Sequence, residues 1–115
     1  MSCPRKVPAV FTASATSAAI DTKEGTIVGF EIPSGFTGVS LSFKATSDAD
    51  NGTYNDVYYL SGVAATILTI TSVAASRQIT IDPKLLAGFR YLKLVSNASE
   101  TLTVNVMIRD TDGGR

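Results

Sequence analysis

Histidine and tryptophan are missing from the 115 residues, and cysteine occurs once, at Cys3. Each shortage removes a class of function. Without histidine the chain lacks the commonest metal ligand and the side chain best suited to proton transfer near neutral pH. Zinc sites and Ser-His-Asp or Cys-His catalysis are thereby excluded. A lone cysteine makes no internal disulfide, so the fold does not depend on an oxidising compartment.

Charge is scarce too. Only 17% of residues are charged, and ten basic residues balance ten acidic ones for a net charge of 0. No basic excess exists to neutralise phosphates, which argues against nucleic acid as a partner. Zero net charge also does little to oppose self-association, and a homo-oligomer is expected. Glycine-rich phosphate loops of the G-x-G-x-x-G or G-x-x-x-x-G-K kind are absent. The longest apolar segments are broken by Thr and Ser, so no membrane span is expected. The first ten residues, "MSCPRKVPAV", have two positive charges but lack the apolar run of roughly 7–15 residues that makes a secretion signal. A soluble protein made in the cytoplasm is expected.

What the chain does have is alternation. Hydrophobic residues make up 44% of it, and they recur with period two. "GVSLSFKAT" places Val39, Leu41, Phe43 and Ala45 on one face. "TIVGFEI" places Val28, Phe30 and Ile32 together. "RQITID" alternates Ile79 and Ile81 with Gln78 and Thr80. "RYLKLVSN" alternates Leu92 and Leu94 with Tyr91 and Lys93, and "TLTVNVMIRD" directs Leu102, Val104, Val106 and Ile108 inward. Such alternation marks half-buried strands. "YNDVYYL", "ATILTITS" and, more weakly, "FTASATSAAIDT" add to the count.

The expected fold is therefore all-β, an antiparallel β-sandwich or jelly roll of about eight short strands. One short helical turn is expected near 83–88, with Asp82 as its cap, Pro83 at its start and Gly88 at its end. Residues 1–10 read as a flexible N-terminal arm, 11–110 as a single sandwich domain, and 111–115 as a flexible tail.

The stretch "DADNGTYNDVYYL" gathers the candidate ligands. Asp48, Asp50, Asn51, Asn55 and Asp56 offer oxygens to a calcium ion. The EF-hand spacing fails, because Gly52 occupies the fifth position and no Glu closes the loop. The other reading is a hairpin turning at Asn51-Gly52, with strands 39–46 and 53–60. No metal or cofactor is expected. Tyr54, Tyr58, Tyr59 and Tyr91 could stack on a sugar or pack inside. Tyr58 and Tyr59 point to opposite faces of a strand, so at least one should face the core or an interface. Asn51, Tyr54, Tyr58 and Tyr59 form the candidate loop-tip site. Paired loop acids could in principle do acid–base chemistry, but they are expected to be solvated, and no enzyme activity is expected. In "DPKLLAGFRYLKLVSN", Leu85, Leu86 and Phe89 should plug one end of the core, with Arg90 and Lys93 outside.

The order of these segments resembles a family of small proteins encoded among the virion structural genes of tailed bacteriophages. The matching residues are Ile32, Pro33, Gly35, Phe36 and Thr37, then Leu41, Phe43 and Ala45, then Tyr54, Asp56, Val57 and Tyr58. They continue with Ile79, Ile81, Asp82, Pro83, Ala87 to Leu94, and Ser96. The similarity spans about residues 18 to 109. It implies a β-sandwich virion protein without catalytic residues, assembled into particles in the host cytoplasm. A capsid decoration or cement protein, working as a trimer or dimer, is the leading expectation. It would dock on the major capsid protein or another virion protein, with Arg5, Lys6, Val7, Pro8, Arg109 and Arg115 as candidate contacts. A tail or head appendage that binds host-surface glycans is the alternative.

Overall fold

In a computed structural model, residues 5–23, 25–46, 53–86 and 89–109 are described. They form ten strands: β1 (Arg5–Thr16), β2 (Ile20–Asp21), β3 (Thr26–Ile32), β4 (Ser40–Thr46), β5 (Asn55–Asp56), β6 (Tyr58–Ser61), β7 (Ala64–Ile67), β8 (Thr69–Thr71), β9 (Arg77–Thr80) and β10 (Tyr91–Arg109). All pairings are antiparallel. The all-β expectation therefore holds, with a sandwich-like variation. Eight strands belong to one curled sheet, and β6 and β7 form a separate two-stranded sheet.

β10 is the spine. Its first half pairs with β4 on one side and touches β2 on the other; its second half pairs with β1 and β3. Nineteen residues of straight strand would run about 63 Å, whereas the longest extent of the molecule is 38 Å. The strand must bend, and the register shows where. From the pair Ser14↔Glu100 to the pair Thr16↔Val95, β1 advances two residues while β10 advances five. The three extra residues bulge out of β10 between Val95 and Glu100. β1 answers with its own irregularity between Phe11 and Ser14, where Ala13 takes a positive φ of 50° and its N–H bonds Thr101 Oγ1 at 3.1 Å. Bulges bend strands and sharpen their twist, and here they fold the sheet over its own inner face.

That inner face holds the core. Phe30 from β3 and Phe43 from β4 stack at 5.5 Å between ring centroids, 22° from parallel. Around them lie Phe11, Ile27, Leu41, Leu92, Leu94, Val104, Val106 and Ile108, all essentially buried. The alternation predicted for β4 and β10 is obeyed from Leu41 and Leu92 onward.

Several expectations need correction. Residues 5–10, expected in a loose arm, are strand: Arg5 through Val10 pair in unbroken register with Ile108 through Thr103. Pro8 does not break the strand. β1 lies at an edge of the sheet, where a missing N–H is tolerated. Val28 does not share the inward face, because a bulge shifts the register between Met107 and Ile108 and turns Ile27 inward instead. Val39 is 59% exposed, since it precedes β4 in the connection from β3. Over its described residues, 83–86, the expected helical turn is a turn without a helix. Leu85 N–H bonds the Asp82 carbonyl at 3.0 Å, and Lys84 N–H bonds Asp82 Oδ1 at 3.0 Å. Asp82 does cap the turn, while Ala87 and Gly88 lie outside the described residues. Leu86 is buried, and Leu85 and Phe89 are partly buried against the core, as the plug requires.

Candidate functional site

Two regions of the surface stand out, and both begin where β4 hands the chain to β5. Lys44 faces Asp56 and Ala45 faces Asn55 across that short ladder. The expected hairpin is met only in part. The returning strand, expected over 53–60, pairs with β4 at Asn55 and Asp56 alone, because Tyr58 onward joins a separate sheet. Ser47 to Gly52, with the loop-tip residue Asn51 and the expected turn, lie outside the described residues. Lys44 Nζ sits 2.8 Å from Asp56 Oδ1. Both side chains are well exposed, so the pair contributes little, about 0–1 kcal/mol. Lys93 of β10 places its Nζ 4.4 Å from the centre of the Tyr54 ring, a cation–π contact.

Beside this ladder is a cleft of about 420 Å³. Thr53, Asn55 and Asp56 supply polar groups, Tyr58 and Phe89 supply rings, and Ala45, Thr46 and Val57 complete the wall. Concave sites with a few convergent polar groups and an aromatic wall suit small ligands. Among the described residues no group of three or more His, Cys, Asp or Glu could hold a metal ion.

Val57 then ends the descent into the core. It is buried, its N–H bonds the Phe43 carbonyl at 3.0 Å, and its own carbonyl accepts from Leu68 N–H at 2.9 Å. Between those two anchors the chain leaves the main sheet as the β6–β7 hairpin. Tyr58 pairs with Ile67, Tyr59 with Thr66, Leu60 with Ala65 and Ser61 with Ala64. Gly62 takes the positive φ of 67° that the two-residue tip requires. Every residue from Tyr58 to Ile67 is exposed, with Leu60 at 73%. Of the two places expected for at least one of Tyr58 and Tyr59, the core or an interface, the core is thus ruled out. Val57 takes the core position, and both rings stand clear of it.

The candidate basic contacts are placed by β1 and the end of β10. Arg5 stands opposite Ile108, next to Arg109, and its Nη2 donates to the Thr22 carbonyl at 2.7 Å. Lys6 pairs with Glu31 at 3.3 Å. Val7 is partly buried against the core, and Pro8 is exposed. Arg109 is exposed on β10, and Arg115 lies outside the described residues. Glu31 is held below its ordinary pKa by the Asn105 amide first, then by Lys6 and Gln78. Arg5, Lys6 and Arg109 therefore share one end of β10, while the tyrosines lie near its other end, where Leu92 faces Ala45.

Sequence reasoning missed a third feature. Glu100 is 2% exposed, on the bulge of β10. Its carboxylate accepts from Thr37 N–H (3.1 Å), Thr37 Oγ1 (3.0 Å), Gly38 N–H (2.9 Å) and Ser96 Oγ (2.9 Å). Asn97 Oδ1 accepts from Val39 N–H at 2.8 Å and Ser40 N–H at 3.2 Å. Together they clamp the β3–β4 connection into the gap where the two halves of the sheet diverge. Burial opposes ionisation of Glu100, but the hydrogen bonds from Thr37, Ser96 and Gly38 outweigh it and hold the carboxyl below its ordinary value. Gly38 is needed for closeness, because a Cβ there would collide with Ser96 Oγ and Asn97 Oδ1. A signal existed: Glu100 falls in the inward phase of Leu102, Val104 and Val106.

Among the described residues no helix is long and apolar enough to cross a membrane. No protein-family model, no curated protein and no solved structure matches the chain.

Proposed function

We propose that the chain is a non-catalytic structural protein of a tailed-bacteriophage particle, a decoration or cement protein of the head shell. The observation that carries this reading is the exposed hairpin Tyr58–Ile67, standing off a curled and well-packed sheet. Exposed apolar surface of this kind marks contact with another protein. The sequence resemblance to virion proteins points the same way.

The mechanism is passive. A rigid body docks on the shell, and symmetric copies turn weak individual contacts into avidity. Arg5 to Pro8 are built into β1, so the hairpin rather than a loose N-terminal arm is the docking element. Deleting residues 1–8 would remove four rungs of the β1–β10 ladder and unsettle the fold itself. Particles produced without this protein, when mixed with the purified chain, should bind it to saturation and withstand heating better. Failure of the chain to pellet with particles would sink the reading.

The cleft supports a second reading, a head or tail appendage that holds host-surface glycans. Tyr58 on its wall offers a stacking ring beside the polar groups of Thr53, Asn55 and Asp56. A glycan-array signal that disappears in Tyr58→Ala would favour it over decoration.

A further inference from the structure

The β6–β7 hairpin is fastened to the body at its base. Val57 divides its backbone between the two parts: its N–H donates to the Phe43 carbonyl of β4, and its carbonyl accepts from Leu68 N–H. Val57 and Leu68 are both buried. Beyond them, β6 and β7 pair only with each other. Among the described residues no hydrogen bond joins residues 58–67 to another part of the chain.

The phase of the ladder carries more. Opposite residues of an antiparallel pair alternate between hydrogen-bonded and non-hydrogen-bonded rungs. The bond from Leu68 N–H to the Val57 carbonyl puts the base in a bonded phase, and the register from Tyr58↔Ile67 to Ser61↔Ala64 carries the ladder four rungs further. The rung that closes the tip, Ser61↔Ala64, therefore has the same phase as the base. Gly62 and Val63 bridge the first and have the geometry to bridge the second. The four rungs could be taken out as a block, and the Val57 carbonyl would still meet Leu68 N–H across a two-residue turn. None of the buried core residues lies within that block.

We infer that residues 58–67 are a separate unit of stability, a hairpin that opens and closes without the body of the sheet. Its side chains are exposed and its backbone bonds are internal to it, and a two-stranded hairpin alone is marginal in water. Segments with few buried contacts and exposed backbone bonds open at far lower cost than a core. The base stops the opening from spreading, because Val57 and Leu68 keep their places in the core whether the rungs above them are formed or not. The division goes beyond both readings of function and depends on neither. It gives the chain an exposed element that can order on a contact, or differ in sequence, while the body that carries it stays the same.

Hydrogen exchange of the intact chain is the first test. The phase of the ladder makes Tyr59 and Thr66 a bonded rung. Their amides should be at least about 100-fold less protected than that of Leu94, which is bonded within the core, while the Val57 amide is protected with the body. The second test is a chain lacking Tyr58–Ser61 and Ala64–Ile67, in which Gly62 and Val63 join Val57 to Leu68. It should fold, with a Tm within about 5 °C of the intact chain. Protection of Tyr59 and Thr66 equal to that of Leu94 overturns the inference, and so does a larger fall in the Tm of the shortened chain.

Discussion

Glu100 and Leu60 both sit on strands, and their surroundings are inverted: the acid is 2% exposed and the leucine 73% exposed. The difference lies in what each backbone neighbourhood still needs. At Glu100 the β3–β4 connection brings the N–H groups of Thr37 and Gly38 into the gap of a bent sheet, away from water. Such donors must be met, and one carboxylate meets both while taking two hydroxyls as well. At Leu60 the hairpin has only its own two strands, and nothing in the described structure closes over the side chain. The buried polar group belongs to stability and the exposed apolar group to contact.

The comparison can be broken most forcefully at the clamp. Glu100→Gln should cost about 2–4 kcal/mol, because one oxygen is replaced by a donor facing other donors. Chemical denaturation would register it, and Tm should fall on the order of 10–20 °C. The same residue gives the pH dependence its sign. Its folded pKa lies below the ordinary 4.5, so its contribution is complete above the unfolded value and is lost as pH falls through the folded one. The acid limb of stability should therefore flatten in Glu100→Gln. If wild type and variant fall in parallel, the clamp is not what titrates.

Gly38→Ala is the next test, with about 1–3 kcal/mol expected from overpacking against Ser96 and Asn97. Gly35→Ala, whose added Cβ would meet only Leu102 at 3.8 Å, is the control and should cost less. The smallest effect belongs to the hairpin. Leu60→Ser should change the stability of the dilute chain by about 0.5 kcal/mol or less. A larger loss would mean that the hairpin packs against the body of its own chain, and the contrast with Glu100 would fail.

Much of the body was legible in advance. β4 and β10 alternate cleanly, and Phe43, Leu92, Leu94, Val104, Val106 and Ile108 fall where the pattern places them. The failures share a cause, which is register. A bulge in the β3–β10 ladder exchanges Ile27 for Val28, and a pattern of period two cannot announce an inserted residue. Residues 5–10 read as part of an arm, because only the assembled sheet reveals that β1 is an edge strand able to take Pro8. The candidate site was legible in part. The stretch from Tyr54 to Tyr59 does border a cleft, but it is Val57 that turns into the core, and neither Tyr58 nor Tyr59 does. Glu100 was readable from its phase, yet an acid in an inward position makes sense only with Thr37 and Gly38 in view, more than sixty residues away.

The place of β10 in the chain has a consequence for how the molecule is made. It is the last strand, and β1, β2, β3 and β4 all take it as a partner. A ribosome adding roughly 5–20 residues each second exposes those four strands for seconds before residues 91–109 emerge. During synthesis the edges of these strands that face β10 have no permanent neighbour, and loops of great length must close at the end. Folding should be late, abrupt and vulnerable to association before completion.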